Sequence, residues 1–134
     1  MYKFFAAAIA MTVSAASAGG RISDFQWKNR LLVASGASAE LVDKINSAKA
    51  GMFDRDLKVF VLSGAGVERF PVGKDLSKEF VSRLNTNEDR PMVYLIGKDG
   101  KTTLNWPLDE FTIEKLFANI DAMPMRKREM REKR

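Results

Sequence analysis

Apolar residues along this chain change repeatedly between a strand-like and a helix-like spacing, and this alternation restricts the folds open to it. A continuous apolar run at 31–34 predicts a strand buried on both faces. The segment 57–62, which is rich in β-branched and aromatic residues, predicts a second strand. A further run at 91–96, followed by Asp99-Gly100 and the segment 102–106, predicts two strands joined as a hairpin, because Asp-Gly is a strong hairpin signal.

Helical stripes of apolar residues follow the first, second and last predicted strands. Ser38, Asp75 and Thr112 are placed to cap the three helices, with Gly51 near the end of the first. Pro124 limits the last helix because proline lacks an amide hydrogen. The predicted order is βαβαββα, an α/β fold with a central mixed β-sheet flanked by helices. We expect parallel pairing through the crossovers and an antiparallel edge at the hairpin.

The N-terminal residues 1–18 have the three parts of a secretory signal peptide. Lys3 gives the segment a positively charged start, residues 4–13 form its apolar middle, and Ala16-Ser17-Ala18 forms its Ala-x-Ala end. The stretch is far shorter than the ~20 residues of a membrane span. We therefore predict cleavage after Ala18 and export of the chain to the periplasm or the medium. An amphipathic or buried N-terminal helix is the alternative.

The 134 residues include no cysteine and no histidine, which excludes much familiar site chemistry. A thiolate nucleophile, disulfide exchange, a Ser-His-Asp triad and a Cys/His zinc site all need one of these residues. Met123, Met125 and Met130 form a thioether set able to bind cuprous ion weakly, although packing at a helix end is the better interpretation. Gly64-x-Gly66 does not match a phosphate-binding spacing and predicts a flexible loop. We predict no cofactor and no metal site.

The net charge of +5 is concentrated at the two ends of the chain. Lys3 carries one positive charge, residues 126–134 carry six basic and two acidic side chains, and the domain at 19–125 is neutral. A neutral domain does not present the basic face that nucleic acid requires, so we expect no nucleic-acid partner. Residues 126–134 are interpreted as a basic C-terminal tail that is solvated and partly helical. The alternative is a weak contact with an anionic membrane or a partner through Arg126, Lys127, Arg128 and Arg131.

The element order, with Pro91 opening the third strand, resembles the thioredoxin fold and its thioredoxin-like and peroxiredoxin-like branches. The segments 27–33, 55–57, 95–100 and 120–126 resemble the P-DUDES domain, and this resemblance spans about residues 22 to 130. It implies a small secreted, thioredoxin-like domain of unknown biochemical function that lacks the redox cysteine pair.

The resemblance also implies a place for a site. In thioredoxin-like proteins the reactive cysteine lies after the first strand and faces the proline that opens the third, which here are the loop 35–39 and Pro91. The pKa of a serine hydroxyl is too high for it to replace a thiolate, and no histidine is present to activate Ser35 or Ser38. Thiol redox and peroxidase activity are therefore excluded. Helix N-terminal amides beside Arg90 can still hold a carboxylate or an extended peptide.

These residues lead to two hypotheses for the candidate site at Ser35, Ser38, Arg90 and Pro91. The first is an exported, non-catalytic binding or scaffolding module with an unidentified protein or peptide partner. The second is an enzyme that uses Arg90 and the helix N-terminal amides to stabilise an anion.

Overall fold

A computed structural model describes residues 20–86 and 90–133 of the chain. The predicted signal peptide at 1–18 lies outside the described residues. The elements are β1 (Arg30–Ser35), α1 (Ala39–Ser47), α2 (Lys49–Asp54), β2 (Leu57–Val61), α3 (Lys74–Leu84), β3 (Met92–Ile96), β4 (Thr103–Pro107), α4 (Ile113–Asp121) and α5 (Pro124–Glu132), with short 3-10 helices at Ile22–Phe25 and Leu108–Glu110. Within the described ranges, no helix is long and apolar enough to cross a membrane.

The four strands form one mixed sheet in the order β2-β1-β3-β4, which confirms the predicted α/β fold and is consistent with a thioredoxin-like arrangement. β1 runs parallel to β2, and β3 and β4 form the predicted antiparallel hairpin. The expectation of parallel pairing through both crossovers is wrong, because β1 and β3 are antiparallel, with Ser35 opposite Met92. β3 therefore begins beside the end of β1.

Alternate strand residues face two separate cores on opposite sides of the sheet. All of β1 is buried, as its continuous apolar run predicts. One core joins the strands to α1, α2 and α4 through residues that include Leu32, Ala34, Val93, Leu95, Ile45 and Leu116. The other joins them to α3 and the first 3-10 helix through residues that include Leu31, Val33, Tyr94, Ile96, Phe80 and Ile22.

The first predicted helix is divided into α1 and α2. Its predicted cap is confirmed, since the Leu41 amide donates to the Ser38 hydroxyl over 3.1 Å. The break at Ala48 places Gly51 at the third of the six positions of α2. A Cβ at Gly51 would lie 2.7 Å from the Phe117 ring, so glycine allows α2 to approach α4 closely.

Of the caps predicted for the other two helices, one is confirmed and one is wrong. Thr112 caps α4 as predicted, because its hydroxyl accepts a hydrogen bond of 3.1 Å from the Lys115 amide. Asp75 does not cap α3; Gly73 holds that position, and Asp75 lies in the first turn, where a carboxylate favours the helix dipole. The chain leaves α3 at Asn85, which has a left-handed φ of 53°.

The C-terminal residues form a helix that packs on the domain. Pro124 stops α4 from continuing but occupies the first turn of α5, where its missing amide hydrogen is not needed. Arg126 is 3% exposed, so its interpretation as a membrane or partner contact is wrong. Lys127, Arg128 and Arg131 are exposed on the same helix.

Candidate functional site

A groove lies where β1 ends and β3 begins, and it contains three of the four predicted site residues. This β1-end groove has a volume of about 510 Å³ and is lined by Ser38, Arg90 and Pro91 together with residues of α1, the second 3-10 helix and the start of α4. Ser35 is 4% exposed and is not part of the lining, because it belongs to the buried strand.

The loop after β1 faces Pro91, as the thioredoxin-like resemblance implies. A Cβ at Gly36 would lie 3.3 Å from Pro91, and Gly36 has a left-handed φ of 73°. The Gly36 amide donates to the Ser63 hydroxyl and the Ala37 amide to the Ser63 carbonyl, each over 2.9 Å. The loop is therefore fixed, with two of its amides already bonded within the protein.

The β1-end groove carries charges of both signs. Lys44 and Arg90 are its cations, whereas Glu40, Asp109 and Glu110 contribute three carboxylates. Because like charges repel, these carboxylates disfavour a small anion beside Arg90. The mixture suits a ligand that presents both charged and polar groups, such as an extended peptide.

A second polar group of residues lies at the opposite end of β1. We call it the buried ion cluster; its members are Arg30, Asp54, Arg55, Asp56, Lys98, Asp121, Arg126 and Glu129. Arg30, Lys98 and Arg126 are 1%, 8% and 3% exposed, which is rare for cations unless they are paired. The cluster joins the start of β1, the end of α2, the end of β3, and helices α4 and α5.

Glu129 is shared by two of the buried cations. Its carboxylate accepts hydrogen bonds from the Arg30 guanidinium at 3.3 and 3.2 Å and from Lys98 Nζ at 2.7 Å. Lys98 also contacts the Asp56 carboxylate at 2.8 Å. Arg30 Nε is buried and has no hydrogen-bond partner within the described parts of the chain.

The other half of the cluster is organised by two arginines. The Arg126 guanidinium donates to Asp121 Oδ1 at 3.1 Å and to Asp54 Oδ2 at 2.7 Å. Arg55 makes a two-bond contact with Asp121 at 3.0 and 2.9 Å and lies over the Phe117 ring, 3.8 Å from its centroid. Paired hydrogen bonds of this kind fix orientation as well as charge.

The ion pairs favour the ionised form of three cluster carboxyls, those of Asp54, Asp121 and Glu129. Hydrogen bonds from Lys133 and then Arg126 lower the pKa of Asp54 to about 2. Arg55 and Arg126 hold the pKa of Asp121 below its usual value. Burial acts to raise the pKa of Glu129, but the bonds from Lys98 and Arg30 outweigh it and lower the pKa overall. General acid-base catalysis needs a pKa near the working pH, so these three carboxyls are suited to a structural role.

In the described ranges, no group of three His, Cys, Asp or Glu side chains is arranged to hold a metal ion. Met123 packs on the core beside the sheet, and with Met125 it lines a small cleft next to Arg30 and Lys98. Packing at a helix end thus accounts for the Met123 thioether.

Sequence reasoning missed the buried ion cluster, although its signal is visible. Each segment that carries the P-DUDES resemblance supplies at least one member: Arg30 from 27–33, Arg55 and Asp56 from 55–57, Lys98 from 95–100, and Asp121 and Arg126 from 120–126. Charged residues at the ends of buried strands, in segments far apart in sequence, are the pattern that points to such a cluster.

Comparison with known proteins assigns a family but no activity. The model of a domain of unknown function, DUF4174, matches residues 21–129, a range that contains the β1-end groove and the buried ion cluster. No curated protein and no solved structure matches the chain. The match covers most of the chain, which therefore belongs to the DUF4174 family.

Proposed function

We propose that this protein is an exported, non-catalytic binding module of the thioredoxin-like, P-DUDES type, and that it holds an extended peptide segment in the β1-end groove. The observation that carries the proposal is that the loop facing Pro91 carries a capping serine. Its Ser38 hydroxyl accepts the hydrogen bond that caps α1, in the region where the related fold keeps a reactive thiol. Export rests on the signal-peptide pattern of residues 1–18.

The lining of the groove supports a peptide ligand. Leu108 and Ile113 contribute apolar surface between the charged groups, and Phe111 is largely covered below them. Small-molecule and peptide sites combine an apolar surface with a few polar groups that fix orientation. Arg90 and Lys44 would then face acidic or carbonyl groups of the peptide, and Asp109 would face a basic group.

The anion-stabilising enzyme receives less support from the same groove. An oxyanion site needs free donors aimed at one point. The amides of Gly36, Ala37 and Leu41 donate to protein acceptors. Three carboxylates also line the groove around Arg90. The arrangement favours binding over catalysis.

Photo-crosslinking in the exported fraction tests the proposal. A photoreactive residue at Asp109 would lie in the groove, and one at the exposed Asn119 of α4 provides a matched control away from it. We expect a specific adduct from position 109 that Arg90→Glu weakens and that excess unlabelled protein displaces. Equal adducts from both positions, or none from either, would contradict the proposal. N-terminal sequencing of the same material tests export separately, with Gly19 expected as the first residue.

A weak contact with anionic membranes is a secondary proposal, supported by the exposure of Lys127, Arg128 and Arg131 on α5. Each basic residue near an anionic surface contributes about 1 kcal/mol before screening. Replacing these three with glutamine leaves Arg126 in place, so the fold is kept. We expect less of the variant to sediment with phosphatidylglycerol vesicles at low salt. Unchanged sedimentation would contradict the proposed membrane contact.

A further inference from the structure

Strand β2 is one edge of the sheet, since β1 is its only strand neighbour in the part of the chain that the structure describes. Backbone groups of successive strand residues point alternately to the two sides of a strand. The amide of Leu62 donates to the Ala34 carbonyl over 2.8 Å, so Leu62 faces β1. By alternation, the backbone groups of Leu57, Val59 and Val61 point away from the sheet.

One end of this edge already bonds to the end of the turn that follows β2. The outward amide of Val61 donates to the Phe70 carbonyl over 3.1 Å. Among the residues that the structure describes, no backbone group bonds to the outward N–H and C=O groups of Leu57 and Val59. The edge therefore offers two consecutive pairing positions next to one that is in use.

Beside these positions lies a shallow groove of about 400 Å³, which we call the β2-edge groove. Its lining is mainly apolar, and the Phe53 side chain of α2 is 85% exposed there. Of the described residues that line it, Lys49 and Lys58 are charged and none carries a carboxylate. Phe53 stands one helical turn after Lys49, so both lie on the same face of α2.

We propose that the β2-edge groove binds an extended acidic segment of a partner protein by β-strand addition, with main-chain bonds to Leu57 and Val59. Val59 packs toward the core formed with α1, α2 and α4, whereas the adjacent Lys58 points to the opposite face. An added strand alternates in the same way. Its apolar residues would cover Phe53 on one face, and its acidic residues would meet Lys58 on the other.

Charge decides among the possible occupants of this edge. Pairing of two copies of β2 would place two Lys58 ammonium groups on one face of the joined sheet, and like charges disfavour that contact. An acidic strand instead gains attraction to Lys58, on the face where its acidic residues point. At the opposite edge, the exposed residues Thr103 and Asn105 of β4 are polar. The favoured site is therefore β2, and the favoured occupant is acidic.

The experiment uses the full chain and two short fluorescent peptides, one alternating valine with glutamate and one alternating valine with lysine. We expect the acidic peptide to bind and to slow hydrogen exchange at the amides of Leu57 and Val59, while the basic peptide binds at least about tenfold more weakly. Lys58→Glu and Phe53→Ala, both at exposed side chains, should each weaken the acidic peptide several-fold without changing the unfolding midpoint. Val81→Ala, at an exposed apolar residue of α3, is the matched control and should leave binding unchanged.

Three results would overturn this inference. The first is binding of the acidic peptide without protection of Leu57 and Val59. The second is protection of these amides by self-association, which would rise with protein concentration in the absence of peptide. The third is that Phe53→Ala weakens binding to phosphatidylglycerol vesicles but not binding of the acidic peptide, which would assign the surface to a membrane. Arg90→Glu, in the β1-end groove, should not change binding at this edge, so failure here and failure of the proposed function are distinguishable.

Discussion

Lys98 Nζ lies 2.7 Å from Glu129 Oε2, and this contact ties the end of β3 to helix α5. The Lys98 side chain is 8% exposed and that of Glu129 is 18% exposed. The same carboxylate holds Arg30 at the start of β1. One acidic side chain thus neutralises two buried cations from segments far apart in sequence. The chain contains no cysteine, so no disulfide can join these segments.

Glu129→Gln should destabilise the fold by about 2 kcal/mol, because removing one partner leaves buried cations without compensation. The partial exposure of Glu129 keeps this loss below that of a fully buried pair. Urea unfolding followed by circular dichroism measures it. Glu132→Gln, on the exposed face of the same helix, is the matched control and should change the free energy of unfolding by less than about 0.5 kcal/mol. Equal effects of the two variants would argue against the role given to Glu129.

A chain that ends after Met125 should lose about 3 kcal/mol or more of stability, because the deletion removes both Arg126 and Glu129 from the buried ion cluster. Ending the chain after Glu132 removes Lys133 and Arg134 instead and should have a small effect. The ion pair of Lys133 with Asp54 is half exposed and contributes little. Thermal unfolding distinguishes the two. An unchanged midpoint after the longer deletion would show that α5 is dispensable, as a simple tail would be.

Local signals account for the parts of the fold that the sequence predicts well. Ser38 and Thr112 are capping residues directly before helical stripes, and the Asp99-Gly100 turn lies between two strand patterns. Each of these features depends on neighbours within a few residues. The position of Pro91 opposite the loop after β1 is not local, and only the resemblance to a known fold indicated it.

Features set by distant contacts were missed. Whether β3 pairs parallel or antiparallel with β1 depends on the path of the connections around α3, which apolar spacing does not encode. The basic composition of 126–134 indicates a solvated end, yet Arg126 is buried because Asp54 and Asp121 lie where α5 docks. The charges of a segment do not reveal whether the surface it packs against carries side chains of opposite charge.

Acid should weaken the fold through the cluster carboxyls. Bonds from Lys133 and Arg126 lower the pKa of Asp54 from 3.8 to about 2. The contribution of Asp54 to the free energy of unfolding is therefore present above about pH 3.8 and is lost as the pH falls toward 2. The lowered pKa values of Asp121 and Glu129 act in the same direction. Urea midpoints between about pH 5 and pH 2 should therefore fall, and Asp54→Asn should make the fall shallower. A midpoint that stays constant over this range would contradict the prediction.

Gly64→Ala should destabilise the protein by about 2 kcal/mol, since Gly64 has a left-handed φ of 95° and a Cβ there would collide with the backbone of Ala37. Gly64 and Ala37 form a parallel β-bridge that holds the loop in front of Ser38. The substitution should therefore also weaken crosslinking in the β1-end groove. Gly20→Ala is the control, because its added Cβ would meet Leu76 at an ordinary 3.7 Å. Thermal unfolding of both variants checks the prediction, and equal midpoints would show that the loop accepts a side chain at Gly64.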